Sequence, residues 1–228
     1  MRLIVRLIPM LALAWAAACD SKAPTGCCSL DQPELRLVNA FTTPVNVVID
    51  GQQVNAALAA GAIQTFPVSA GGHGLSVRGT NGASFIAPVT VAAGVVSTIA
   101  VVRNANGDMS SAVLDDTNSV VPTGATKVRV IHFAPNAGTL QVYRTQPDFQ
   151  TPTAWQTPFD YQPAPNSTSA PFLQSTVGTW EVRIWQTPAD ASGWANAPVK
   201  VVIPLASGEK KTVLMLDKPG GGVSVQLI

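Results

Sequence analysis

Side chains that commonly carry chemistry are scarce in this chain of 228 residues, which has two histidines and three cysteines. His73 lies in the glycine turn Gly71-Gly72-His73-Gly74, and His132 at a strand start. No His-Glu-x-x-His or comparable spacing joins them, so no zinc site is expected. No Gly-x-Ser-x-Gly elbow sets a nucleophile beside a base, and neither common phosphate-binding glycine loop occurs. Asn104-Ala105-Asn106-Gly107-Asp108 lacks the acidic run and closing Glu of a calcium loop and reads as a hairpin turn. His132 reads as a hydrogen-bonded histidine at a sandwich edge. A hydrolase would need it to meet a carboxylate and a hydroxyl in space. The expectation is a protein that is not an enzyme and uses no cofactor and no metal.

The sharpest local signal is at the N-terminus. Arg2 and Arg6 form a positive start, Leu7 to Trp15 a short apolar run, and Ala16-Ala17-Ala18 the small residues before Cys19 that a signal peptidase needs. That run is too short to span about 30 Å of hydrocarbon. Residues 1–18 therefore read as a signal peptide. Cys19 resembles the acylated cysteine of bacterial lipoproteins, although Ala16 stands where that pattern prefers Leu. The alternative is an ordinary secretory cut that leaves Cys19 a free thiol. Either reading exports the protein, to the periplasmic or cell-surface side of a bacterial membrane. Residues 19–33 are polar, carry Pro24, Gly26 and Pro33, and read as a tether. Within them Cys27 and Cys28 are adjacent and would close only a strained ring, which leaves intermolecular pairing or free thiols.

The elements that must position everything else are strands. Charged residues make up 12% of the chain, Gly and Pro number 18 each, and the formal charge is +1. An apolar content of 46% argues against disorder, and the absence of a basic cluster argues against nucleic acid. Alternating segments at 35–40, 45–49, 62–68, 74–79, 85–91, 96–103 and 110–115 are separated by turn signals such as Asp50-Gly51 and Asn106-Gly107. The pattern then repeats. Leu35-Arg36-Leu37-Val38-Asn39-Ala40-Phe41 returns as Val128-Arg129-Val130-Ile131-His132-Phe133-Ala134, and Val45-Asn46-Val47-Val48 as Leu140-Gln141-Val142-Tyr143. Leu75-Ser76-Val77-Arg78 matches Trp180-Glu181-Val182-Arg183, and Ala87-Pro88-Val89-Thr90-Val91 matches Ala197-Pro198-Val199-Lys200-Val201. An all-β chain of two antiparallel β-sandwich domains is expected, at 34–116 and 127–228 with a linker at 117–126. Leu37, Val47, Val77 and Val89 should then be buried where Val130, Val142, Val182 and Val199 are.

Val128 to Ala137 with Leu140 to Tyr143, and Leu35 to Gly51 in the first copy, resemble the opening strand and hairpin of the bacterial "domain of unknown function 4397" family. The first copy departs from it, with Asn39-Ala40-Phe41-Thr42 in place of the His-x-x-Pro form. The resemblance implies an exported, often lipid-anchored protein of immunoglobulin-like domains without an assigned reaction. It brings no catalytic residues.

The second copy has longer loops, and these carry Phe149, Trp155, Phe159, Tyr161, Phe172 and Trp194. Rings on loops of a rigid sandwich suit glycan or peptide recognition, with Trp155, Phe159, Tyr161 and Trp194 as candidate ligand-binding residues. The competing expectation is that they fold back as a satellite core. The favoured function is a cell-envelope lipoprotein with a structural or interaction role, anchored to the membrane through lipid on Cys19. A module binding cell-wall or extracellular glycan, peptide or protein is the alternative.

Overall fold

The computed structural model describes residues 32–116, 120–147, 153–166, 168–186 and 197–228. Cys19, Cys27, Cys28 and Trp194 lie outside the described residues. The first half contains β1 (Glu34–Asn39), β2 (Val45–Ile49), β3 (Gln52–Leu58), β4 (Ile63–Pro67), β5 (Gly71–Gly79), β6 (Ser84–Val91), β7 (Val96–Arg103) and β8 (Met109–Leu114). The second contains β9 (Ala125–Phe133), β10 (Leu140–Thr145), β11 (Thr153–Phe159), β12 (Leu173–Thr176), β13 (Gly178–Gln186), β14 (Val199–Leu205), β15 (Lys210–Asp217) and β16 (Val223–Leu227).

The halves pair their strands by one scheme. The first forms sheets β4-β1-β7-β8 and β3-β2-β5-β6, the second β12-β9-β15-β16 and β11-β10-β13-β14. In each half one pair is parallel, β1 with β7 and β9 with β15. The β2–β3 and β10–β11 hairpins even break register at equivalent points. Local sequence explains the tightest turn: Asp50 and Gly51 have φ of 50° and 79°, and two left-handed residues in a row are what a two-residue type I′ hairpin requires.

Each half buries a core between its two sheets. Leu35, Leu37 and Ile99 meet Val45, Val47, Leu75 and Val77 in the first, and Val130, Val213 and Met215 meet Val142, Val182 and Ile184 in the second. A third cluster joins the halves. The outer faces of β1, β7 and β8, with Ala40 just after β1, supply Val38, Ala40, Ala100, Val102 and Leu114, and β9 and β15 supply Ile131, Phe133, Leu214 and Leu216. The four sheets therefore stack as one pile, with the inner two buried on both faces. That is why β7, β9 and β15 read as nearly continuous apolar runs rather than as alternation.

Three strands lie where the sequence pattern predicts loops. β3 and β11 are sheet edges, as is the short β12, and edge strands need little apolar alternation. Trp155 and Phe159 are accordingly strand residues, not loop residues. β9 also begins at Ala125, inside the segment expected to be linker. Two of the repeat matches slip in register. β13 pairs with β10 so that Ile184, not Val182, stands where Val77 stands in the first half. On β14 the counterpart of Val89 is Ile203, while Val199 is only partly buried and corresponds to Phe85. Both slips are even in number. A strand shifted by an even count keeps its faces, so the pattern found the buried side and lost the register.

Candidate functional site

Near one end of the second sandwich, adjacent strands β10, β11 and β13 bring Arg144, Trp155 and Trp180 together. Arg144 alternates in phase with the core residues Leu140 and Val142, so its stem starts on the inner face. Its guanidinium carbon lies 5.7 Å from the Trp155 ring centroid and 5.3 Å from that of Trp180. Two indole faces thus flank one cation, each contact worth about 0.5–1 kcal/mol where solvent reaches. Nη1 of Arg144 donates to Ser175 Oγ at 3.3 Å, and Trp180 Nε1 donates to the Thr176 carbonyl at 3.1 Å. Trp155 Nε1 is buried without a hydrogen-bond partner. A cleft of about 380 Å³ opens beside these groups, lined by Arg144, Trp180, Gln174, Ser175, Thr176 and the chain at Gly124–Ala125. Among the described residues no carboxylate pairs with Arg144.

The remaining candidate rings go elsewhere. Phe159 is 4% exposed and packs in the second core, with its centroid 5.8 Å from that of His132. A ring so enclosed offers no face to a ligand, which corrects the expectation for Phe159. Tyr161 meets His132 edge-on at 6.2 Å, and its hydroxyl donates to the Arg103 carbonyl across the join between halves. Burial pushes its phenol up to about 12. Tyr161 is therefore engaged in holding the halves together. Phe172 lies under Arg129, 4.3 Å from the guanidinium carbon.

His132 is wholly buried rather than at an edge. Its Nδ1 accepts from the Ala134 N–H at 3.1 Å and its Nε2 donates to the Gly138 carbonyl at 2.8 Å. That pattern needs the neutral ring, and desolvation lowers its pKa. His73 has the opposite character. Its Nδ1 donates to Asp50 Oδ2 at 2.6 Å and its Nε2 to the Ser69 carbonyl at 2.9 Å. Two donated bonds favour the imidazolium, so the hydrogen bond to Asp50 raises the His73 pKa while Asp50's own is lowered. The Ser69 contact is through its backbone, so the trio is not a nucleophile-and-base arrangement.

Polar clamps flank the join. Arg129 Nη1 donates to the Asp115 carbonyl at 3.0 Å and Nη2 to Asp116 Oδ1, while Lys210 Nζ donates to the Asp116 carbonyl at 2.9 Å. At the other end Arg103 Nη1 donates to Asn136 Oδ1 at 3.4 Å. Asp217, whose pKa burial raises, accepts from Asn136 at 3.2 and 2.8 Å beside a cavity of about 290 Å³. Among the described residues no group of three or more His, Cys, Asp or Glu side chains is placed to hold a metal.

Arg144 escaped the sequence reading because the quoted match ended one residue earlier, at Tyr143. Carrying it one step further sets Arg144 opposite Ile49, which is the signal that would have found it.

Fold and site together define an all-β protein of repeated sandwich architecture. Residues 33–143 match the family model described as Domain of unknown function (DUF4397). The match spans the first sandwich and continues through β9 into β10. No curated protein matches the chain.

Proposed function

We propose that the protein is a cell-envelope lipoprotein: two immunoglobulin-like sandwiches held on a bacterial membrane, with a structural or interaction role and no reaction of its own. The observation that carries this reading is the apolar join of Val38, Ala100 and Val102 with Ile131, Phe133 and Leu214, which makes the halves suited to act as one stiff spacer. Residues 19–33 would tether that body to lipid on Cys19. One acyl chain binds a bilayer reversibly, whereas two or more hold it. Intact-mass spectrometry of the mature chain should find acyl chains on Cys19, and Cys19→Ala should move the protein from the membrane to the soluble or unprocessed fraction. An unmodified Cys19 at the mature terminus would overturn the anchor.

A second reading, a module that binds cell-wall or extracellular glycan or peptide through the second half, is favoured by one specific observation. Arg144 sits between Trp155 and Trp180 at an open cleft. Of the four residues first assigned to binding, Trp155 alone belongs to this group among the described residues.

A further inference from the structure

We propose that the cleft at Arg144 binds an acidic saccharide, with Arg144 taking the carboxylate of a uronic acid and Trp180 lying against the sugar ring. The proposal rests on the second reading above, binding by the second half, and names its ligand class.

Arg144 is a cation without a carboxylate among the described residues, in a position whose counterpart, Ile49, is a core residue. The fold therefore does not demand an arginine there. A guanidinium carries five N–H donors, and the hydrogen bond to Ser175 uses one of them. Carboxylates match this planar fork by two parallel hydrogen bonds, which a phenol or a lone hydroxyl cannot do. The flanking indoles hold the head in place before a ligand arrives, which lowers the ordering cost of binding.

The rest of the lining suits a polyol. Gln174, Ser175 and Thr176 bring an amide and two hydroxyl groups, and the Trp180 indole offers an apolar plate for the C–H face of a pyranose. The cleft volume of about 380 Å³ falls within the usual range of small-ligand sites. A peptide ending in a carboxylate would share the contact to Arg144. It would gain less from the hydroxyl-bearing wall and would want apolar side-chain pockets, so the saccharide is favoured.

The test is calorimetric titration of the full-length chain in mild detergent with three probes: pentagalacturonate, its methyl ester, and an acetylated alanine pentapeptide with a free C-terminus. Pentagalacturonate should bind, and the ester, which lacks the charge, at least about tenfold more weakly. Arg144→Met should abolish binding. Arg144→Lys keeps the charge, loses the fork and keeps the fold even if the Met variant does not, so it should bind about tenfold more weakly with an unchanged melting temperature. Equal binding of acid and ester overturns the carboxylate contact but leaves saccharide binding standing. Binding of the peptide alone overturns the saccharide and leaves a binding module. Binding of none of the three overturns both, whereas an Arg144→Lys variant that binds pentagalacturonate as tightly as the parent overturns the fork contact at Arg144 and leaves the binding module standing.

Discussion

The same corner of the two sandwiches is built twice, with opposite results. In the first half Ile49, Val54 and His73 occupy the positions that Arg144, Trp155 and Trp180 occupy in the second. There Ile49 joins the core and His73 is tied down by Asp50 and Ser69, so the corner is closed. In the second half the carboxylate's position is taken by Thr145, and a cation between two indoles faces a cleft. Elsewhere a change of residue preserves the job. Asn39 Oδ1 accepts from the N–H two residues on and its Nδ2 donates to the Thr43 carbonyl, and His132 makes the same two kinds of bond through Nδ1 and Nε2. The two halves share hydrogen-bond geometry where the fold needs it and differ in chemistry at a corner where it does not.

The join shows a third kind of difference. Equivalent faces meet there, and Ala40 and Ala100 of one half correspond to Phe133 and Leu214 of the other. Small residues on one side leave room for large ones on the other, which is the alternation a packed interior requires. Phe133→Ala removes the largest of these side chains and should cost about 3–5 kcal/mol in denaturant unfolding. The same change should split a single transition into two. A retained single transition with little loss would show that the join contributes little.

The matched pair Asn39 and His132 gives a smaller and cleaner contrast. His132→Leu strands the Ala134 N–H and the Gly138 carbonyl inside the protein and should cost on the order of 1–3 kcal/mol. His132→Asn imports the first half's solution and should lose less. If Leu is tolerated better than Asn, the hydrogen bonds are not what the position conserves.

Both cores were legible from Leu35, Val47, Val130 and Val142, because alternation reports a face. The edges β3, β11 and β12 were not, because Gln52-Gln53-Val54-Asn55 needs no apolar face to sit at a rim. The join was written in the unbroken runs Ile99-Ala100-Val101-Val102 and Val213-Leu214-Met215-Leu216, which mark burial on both sides. The candidate site was half legible. Aromatic enrichment picked out Trp155, but composition could not tell that Phe159 turns inward, nor that Trp180 would meet Arg144.

The smallest expected effects concern pH, and the two histidines should act with opposite sign. His73 has a raised pKa in the folded protein, so its contribution is fully present below the unfolded value of 6.5 and fades as pH rises through its folded pKa. His132 has a lowered pKa, so its contribution is present above 6.5 and fades as pH falls through its folded pKa. Asp50, lowered from 3.8, adds stability that is lost only in acid. Titration of the two imidazoles by nuclear magnetic resonance should place His73 above and His132 below 6.5. Coincident midpoints would contradict the assigned hydrogen bonds.

The central claim is that the halves form one cooperative body, and the distribution of tryptophan provides a direct test. The five tryptophans are Trp15, Trp155, Trp180, Trp185 and Trp194, so within residues 32–228 tryptophan fluorescence reports on the second half alone. Val77→Ala deletes core volume in the first half and should cost on the order of 1–3 kcal/mol. If the join couples the halves, the tryptophan-monitored unfolding midpoint of Val77→Ala moves down together with the circular-dichroism midpoint. A tryptophan midpoint that stays at the parent value while circular dichroism shows the first half melting early would contradict the claim.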